Sequence, residues 1–281
     1  MELIQAATVF SSLGHPDRLA ILRLLMRFSP RGQRPTEIAQ MLGLKQNTLS
    51  HHLGELTSTG LLGVTRQGRS LYYSVNLDMS EALIGYLALD VGRGRADLLR
   101  PLLAQRRNRK NDQPCNVLFL CSGNSARSII AEALLRDMGK GRFRAYSAGI
   151  QPSTVPHPLA LQVLQEGGHA VSELRSKHIS EFHHAGAPQM DIVITVCDRA
   201  AAKDCPPWAG QPVTTHWGLP DPARAQILPE AEPAQAFRQT YLGLHHRLVA
   251  LVALPFATFD QRALQTHMDA IDTTVLTQEG A

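Results

Sequence analysis

The sequence predicts two domains of different fold class, a mainly α-helical N-terminal domain and a C-terminal α/β domain. Residues 1–113 carry a net charge of +6, whereas residues 114–281 carry a net charge of −2. Residues 105–114 form a polar, basic stretch without an apolar core pattern, which is typical of a linker. Helical periodicity dominates before this stretch, and short apolar runs of the buried-strand type follow it. We therefore place the domains at residues 1–104 and 115–281.

The composition indicates a folded protein without a membrane segment. Hydrophobic residues make up 44% of the 281 residues and charged residues 19%, which allows a packed core and excludes global disorder. No apolar run reaches the roughly 18–20 residues that a membrane helix needs, and the first residues lack the basic start and cleavage site of a signal peptide. Four cysteines in a chain of this length do not form a disulfide scaffold. We expect a cytoplasmic protein.

The N-terminal domain shows the pattern of a helix-turn-helix. Residues 2–28 have helical periodicity with an interruption before Asp17, which we expect to cap the second helix. Thr36 is expected to cap the next helix, and Gly43 to end it. After a short turn, a further helix is predicted over residues 46–59. Two helices joined in this way can place the second helix in the major groove of DNA.

That second helix carries the side chains expected to read DNA. Its first turns are polar, and amide, hydroxyl and imidazole groups of this kind contact base edges and phosphates. Leu49, Leu53 and Leu56 recur at helical spacing and are expected in the core. A predicted β-hairpin follows, and its arginines are placed for phosphate contact. The predicted DNA-contacting residues are Gln46, Asn47, Thr48, Ser50, His51 and His52 in the helix, and Arg66 and Arg69 in the hairpin.

Together these segments resemble the ArsR/SmtB family of winged-helix repressors. The resemblance rests on SLGHPDRLAILRLL, EIAQMLGLKQNTLSHHLGELTSTGLL and VTRQGRSLYYSV, and it covers residues 3–104. It implies a winged helix that binds operator DNA, with the hairpin as the wing. It also implies a homodimer formed by the first helix and the helix at residues 79–89.

Nothing in the sequence of this domain predicts a metal centre. Arsenic-sensing members of the family carry a close pair of cysteines, whereas residues 1–114 contain no cysteine. His51 and His52 are neighbours, and adjacent side chains on a helix point about 100° apart. We therefore expect no thiolate or imidazole metal site there.

The C-terminal domain opens with a pattern that predicts an anion site. The apolar run 117–120 precedes Cys121, and a helical segment starts near Ile129. A small loop between a strand and a helix N-terminus directs backbone N–H groups toward one point. The helix terminus and Arg127 are expected to lower the pKa of the Cys121 thiol and so supply a thiolate nucleophile. The predicted oxyanion-binding residues are Ser122, Gly123, Asn124, Ser125, Ala126, Arg127 and Ser128.

Two further cysteines and an aspartate are candidates for catalysis. Residues 191–196 are typical of a buried parallel strand, and Cys197 follows at its carboxyl end, where ligands bind in α/β sheets. Cys205 comes next in a loop. Asp221 lies between two prolines in a later loop and is a candidate general acid, although a loop aspartate is more often a turn residue.

The segments CSGNSARSIIAEALL, YSAGIQP, DIVITVCDRAAAKDC and HWGLPDPA resemble the arsenate reductases built on the low-molecular-weight tyrosine phosphatase fold. The resemblance covers residues 115–270 and implies a four-stranded parallel sheet flanked by helices. It implies that Cys121 attacks arsenate while Asp221 protonates the departing oxygen. Cys197 would then form a disulfide with Cys121 and release arsenite, and Cys205 would take over that disulfide. A thioredoxin- or glutaredoxin-type reductant would restore the thiols, without a tightly bound cofactor.

Three functions stay open at this point. The first is an arsenate reductase fused to a DNA-binding repressor. The second is a low-molecular-weight protein tyrosine phosphatase fused to the same domain. Such phosphatases typically have aromatic residues after the Asp-Pro pair, where this chain has Ala223 and Arg224. The third is a non-enzymatic repressor that senses an oxyanion, and the complete set of reactive residues argues against it.

Overall fold

The computed structural model describes most of the chain, namely residues 1–95, 113–203, 208–227, 232–256 and 261–279. The chain divides into two compact units, Met1–Gln105 and Arg106–Ala281. Residues 105–112 of the predicted linker lie outside the described residues, and so does Cys205. Across the described residues, no helix combines the length and the apolar character needed to cross a membrane.

The described part of the N-terminal unit is mainly helical, as predicted. Its core includes Leu49, Leu53 and Leu56, which are all buried. Gly43 ends the third helix with a φ of 69°, a conformation that glycine adopts without strain. The elements are α1 (Leu3–Leu13), α2 (Pro16–Phe28), α3 (Pro35–Leu42), α4 (Gln46–Ser58), β1 (Leu62–Gln67), β2 (Ser70–Val75), α5 (Leu77–Gly85) and a π-type helical turn (Tyr86–Val91). The strands β1 and β2 pair in antiparallel register and form the predicted hairpin.

Both predicted helix caps in this unit are wrong. His15, not Asp17, caps α2, because its Nδ1 accepts a hydrogen bond from the Asp17 amide at 3.1 Å. Arg34, not Thr36, occupies the cap position of α3, and its amide donates to the Glu37 carboxylate at 2.8 Å. Each helix starts with a proline at its first position. Proline needs no acceptor for an amide hydrogen there, so each helix begins earlier than the polar residue suggests.

The described part of the C-terminal unit is built around four parallel strands, as the resemblance implies. Their order in the sheet is β4-β3-β5-β6. The elements are β3 (Cys115–Cys121), α6 (Arg127–Met138), β4 (Phe143–Gly149), α7 (Pro158–Glu166), β5 (Ile192–Thr195), α8 (Asp198–Ala202), β6 (Val213–His216), α9 (Pro233–Ala253) and α10 (Gln261–Glu279), with short 3-10 helices at Ile179–Phe182 and Pro222–Ile227. Every residue of β3 is buried, as the apolar run predicts.

The strand order determines where the reactive side chains meet. Strand β3 pairs in parallel with β4 on one side and with β5 on the other, and Leu120 lies opposite Thr195. Cys121 and Cys197 therefore leave the sheet at the carboxyl ends of neighbouring strands. The chain reverses its direction of strand addition between β3 and β5, and α/β sheets bind ligands in the crevice at such a point.

The last two helices are part of the core of the C-terminal unit. On one face of the sheet, apolar residues of α6 and α9 pack into a single buried cluster with β3 and β5. Helix α10 is joined to α9 by a buried ion pair, in which Arg247 Nε lies 3.3 Å from Asp272 Oδ1. Both side chains are almost completely excluded from solvent, so this pair fixes the C-terminal helix to the core.

Candidate functional site

The candidate site is built around residues 122–126, the loop between β3 and α6. The backbone carbonyl groups of this loop accept hydrogen bonds from a neighbouring segment. Four backbone carbonyls in and just before the loop accept hydrogen bonds from amides of residues 150–157, at 2.8–3.2 Å. A fifth, that of Asn124, accepts from Ser176 Oγ at 2.8 Å. Since the carbonyls are held outward, the opposite side of the loop presents amide N–H groups. One of them, the Asn124 amide, donates to Cys121 Sγ at 3.0 Å. This is the arrangement of an anion-binding loop.

Asn124 is the residue that holds the loop in shape. Its side chain is completely buried, and its φ of 43° lies in the left-handed region that asparagine tolerates better than most residues. Its Nδ2 donates to Ser128 Oγ at 2.9 Å and to Ser147 Oγ at 2.8 Å. Its Oδ1 accepts from the Lys177 amide at 2.7 Å. Three side-chain hydrogen bonds therefore compensate for an uncommon backbone conformation.

A buried ion pair between Glu132 and Lys177 is connected to Asn124 through Ser147. Ser147, which accepts from Asn124, donates to the carboxylate of Glu132. The ammonium group of Lys177 lies 2.9 Å from Glu132 Oε2, and both side chains are mostly excluded from solvent. A chain of polar contacts thus runs from an ion pair through Ser147 to the loop, and such networks stabilise one geometry when every member is paired.

The thiol of Cys121 lies at the base of the loop. Its Sγ is 2.8 Å from Ser128 Oγ. Burial raises the pKa of the Cys121 thiol, and the nearby Cys197 raises it further. Ser128, the charge of Arg127 and the Asn124 amide all act in the opposite direction. The expectation of a lowered pKa is therefore wrong for this structure, because burial of the sulfur outweighs the groups that favour the thiolate.

Cys197 reaches the same loop from the neighbouring strand. Its Sγ lies 3.5 Å from Ser122 Oγ, and the thiol is buried and free. His216, at the end of β6, is buried and contacts Thr195 Oγ1 at 2.8 Å and Asp198 Oδ1 at 3.0 Å. These contacts tie the segment after β5 to the adjacent strand. Cys205 lies outside the described residues, so its position relative to Cys197 stays a prediction.

Arg127 and Asp221 meet at the mouth of the site. Arg127 is the first residue of α6, and its guanidinium donates to the Leu219 carbonyl at 2.9 Å. A second nitrogen of the same group lies 3.3 Å from Asp221 Oδ2. The Arg127 side chain is only 11% exposed, whereas that of Asp221 is 39% exposed. A cation able to bind two oxygens and a carboxyl group that can act as an acid or a base are thereby placed side by side.

The predicted DNA-contacting residues are exposed, with one exception. In α4 the exposed residues are Gln46, Asn47, Thr48, Ser50 and His51, and in the hairpin they are Arg66 and Arg69. His52 is buried with 4% of its surface exposed and packs against His15, with ring centroids 4.5 Å apart. The structure therefore removes His52 from the predicted DNA-reading set, because its side chain points into the unit.

Two family models match this chain. A helix-turn-helix domain matches residues 13–65, and the low molecular weight phosphotyrosine protein phosphatase family matches residues 116–255. A solved structure similar to the N-terminal half is NolR from Sinorhizobium fredii. It is 31% identical, covers 30% of this chain and 81% of that chain, and has a TM-score of 0.26.

Similar proteins of the C-terminal half are arsenate reductases. An arsenate reductase of Bacillus licheniformis is 38% identical over 39% of this chain and 76% of that protein. A glutaredoxin arsenate reductase of Synechocystis sp. is 30% identical over 49% of this chain and 95% of that protein. The chain belongs to the arsenate reductase family. It joins an arsenate reductase domain to an N-terminal helix-turn-helix domain.

Sequence reasoning missed the support beneath the loop of the arsenate reductase domain. Glu132, Ser147 and Lys177 come from three separate segments, and only the fold brings them together. One signal was available for Glu132, which is the single charged residue in the apolar helical run 129–135. A charge on the buried face of a helix needs a partner, because an unpaired buried charge is strongly unfavourable.

Proposed function

We propose that this protein is an operator-binding transcriptional repressor that also reduces arsenate to arsenite. The observation that carries the enzymatic part is the position of Cys121. Its thiol lies at the base of an anion-binding loop, with Arg127 and Asp221 at the mouth and Cys197 at the end of the next strand. An oxyanion and two thiols are what this reduction requires.

The first step is a substitution at arsenic. Arsenate binds the loop amides and the Arg127 guanidinium, which weakens the contact between Arg127 and Asp221. The Cys121 thiol gives its proton to the bound arsenate dianion, and the thiolate attacks arsenic. Asp221, in its acid form, donates a proton to the departing oxygen, which leaves as water, and Asp221 ends as the carboxylate that pairs with Arg127. Arsenic stays pentavalent in the resulting thioester. Binding of the anion by N–H groups and a cation stabilises the charge that develops in this step.

The second step is the reduction. Cys197 attacks the sulfur of Cys121, a disulfide forms, and the electron pair of the sulfur–arsenic bond stays on arsenic, which leaves as arsenite. Two thiols are oxidised and arsenic gains two electrons, so the step balances. Cys205 then attacks Cys197, frees Cys121 and forms a Cys197–Cys205 disulfide. A thioredoxin- or glutaredoxin-type dithiol reduces that disulfide.

The DNA-binding part rests on the helix-turn-helix and on its exposed polar helix α4. We propose that α4 reads the major groove while Arg66 and Arg69 contact phosphates. We propose that the chain binds its operator as a homodimer. Support comes from large apolar residues that α1 and the α5 region leave exposed, including Leu3, Ile4, Ile84, Leu89 and Val91. Exposed apolar faces of this kind are typical of protein interfaces.

The deciding experiment compares arsenite release with hydrolysis of an aryl phosphate. The full chain is supplied with arsenate and either a thioredoxin or a glutaredoxin system, and arsenite and NADPH oxidation are measured. We expect arsenite release that disappears in Cys121→Ser. Fast aryl phosphate hydrolysis without arsenite release would favour the phosphatase alternative, and the absence of both activities would favour the oxyanion-sensing alternative.

A further inference from the structure

Three side chains in the DNA-binding unit bring metal-ligating atoms together. His15, Asp17 and His52 each offer one such atom, and these atoms all lie within 4.8 Å of one another. The shortest given separation joins His52 Nε2 and Asp17 Oδ2 at 3.5 Å. Bonds of about 2.0–2.1 Å to a tetrahedral metal place its ligand atoms roughly 3.3–3.5 Å apart. Only a small movement of the two partly exposed side chains, His15 and Asp17, would close the site.

His52 provides an independent reason to expect a ligand. The residue is 4% exposed, and within the described part of the chain neither ring nitrogen has a hydrogen-bond partner. A buried ring nitrogen without a hydrogen bond is unfavourable and calls for an explanation, for which a bound ion is one of the recognised forms.

We infer that His15, Asp17 and His52 form a binding site for a divalent transition-metal ion of the zinc class. Two imidazoles and one carboxylate are a nitrogen and oxygen donor set that Zn²⁺ and Co²⁺ accept, with a fourth position for water. This site differs from the predicted absence of an imidazole site, which follows only for the adjacent pair His51 and His52. The fold instead pairs His52 with a histidine that lies far away in the sequence.

Metal binding changes what His15 does. Its Nδ1 accepts a hydrogen bond from the Asp17 amide, so the ring proton lies on Nε2. Coordination through Nδ1 uses the same lone pair and ends the cap of α2. Coordination through Nε2 moves the proton to Nδ1 and ends the cap as well. His15 therefore exchanges a helix-capping contact for a metal bond, and asparagine at this position would keep the cap without the metal.

The site joins two elements of the DNA-binding unit. His15 and Asp17 lie at the start of α2, and His52 lies on α4, directly after the exposed residues Ser50 and His51. A metal bound by all three would fix the predicted DNA-reading helix against the start of α2. The consequence is a helix α4 whose mobility depends on metal occupancy.

The test is a Co²⁺ titration of the full chain. All four cysteines are removed so that no thiolate binds the ion, Cys115 by alanine and Cys121, Cys197 and Cys205 by serine. We expect visible d–d absorption of four- or five-coordinate Co²⁺ that saturates at one ion per chain, without a thiolate charge-transfer band. Zn²⁺ should displace the Co²⁺ and raise the melting temperature, because a ligand that binds the native state stabilises it.

Variants in the same background decide which residues bind. His15→Asn and Asp17→Asn preserve the start of α2, and each should weaken Co²⁺ binding by more than about 100-fold, the upper range for loss of a contact that only supports a ligand. The matched control is His51→Gln, which removes an exposed neighbouring imidazole and should leave the affinity unchanged. Absence of the d–d bands overturns the proposal, and so does equal affinity in both ligand variants and the control.

Discussion

Replacing Asn124 tests whether the loop is held by side-chain hydrogen bonds. Asn124→Ala removes the contacts to Ser128, Ser147 and the Lys177 amide. At about 1 kcal/mol for each hydrogen bond, their loss costs about 3 kcal/mol. Alanine also adopts the φ of 43° less readily than asparagine, which adds about 1 kcal/mol. The expected destabilisation of the arsenate reductase domain is about 4 kcal/mol.

Asn124→Gly is the matched variant, because glycine loses the same hydrogen bonds but accepts a positive φ. It should be about 1 kcal/mol more stable than Asn124→Ala. Both tryptophans of the chain, Trp208 and Trp217, belong to the C-terminal half. Their fluorescence therefore follows unfolding of this half in urea. With a slope of about 2 kcal/mol per molar urea, the midpoint of the alanine variant should fall by about 2 M.

Arsenate reduction by the two variants is measured beside their stability. We expect both variants to lose most of their arsenate reduction in the absence of urea. Asn124 holds Ser128 and its own backbone amide in place, and both of these groups contact the Cys121 thiol. Unfolding of both variants at the midpoint of the unchanged chain would refute the role of the hydrogen bonds. Equal midpoints for alanine and glycine would refute the contribution of the backbone conformation.

Three further predictions concern the thiols and the hairpin. Burial raises the pKa of Cys121, so its thiolate forms at a higher pH than that of a free cysteine, whose pKa is about 8.5. The rate of alkylation of Cys121 should therefore keep rising above that pH, and a plateau of the rate below it would contradict this prediction. Cys205→Ser should release about one arsenite per chain and then stop, so normal cycling with thioredoxin would exclude the relay. Arg66→Ala and Arg69→Ala should each weaken operator binding and lower its salt slope by about 1, whereas unchanged slopes would exclude phosphate contacts.

Local patterns predicted much of this molecule. The hairpin, α4 and the loop after Cys121 each form within a short stretch of chain, so spacing and turn residues suffice to predict them. The two predicted caps are wrong for a local reason, because a proline precedes Asp17 and Thr36 and already occupies the first position of each helix. Within such segments the sequence carries the necessary information.

Contacts between distant segments could not be predicted in this way. Lys177 reaches Glu132 only because β4 and the segment after it lie beside α6, and His15 reaches His52 only because α2 packs near α4. The prediction of a lowered pKa for Cys121 is wrong for a related reason. Arg127 is visible in the motif, whereas the depth of burial around the sulfur depends on the whole sheet and its helices.

Thiols are confined to the C-terminal half, and this predicts where arsenite can act. Residues 1–114 contain no cysteine, and trivalent arsenic binds soft thiolates rather than imidazole and carboxylate groups. Any release of operator DNA by arsenite must therefore use a cysteine of the C-terminal half, and these are Cys115, Cys121, Cys197 and Cys205. We expect that Cys121→Ser with Cys197→Ser reduces this release in the full chain, measured by fluorescence anisotropy of labelled operator, while Asp17→Asn leaves it unchanged. Undiminished release from the double cysteine variant would exclude Cys121 and Cys197 as the thiols that bind arsenite.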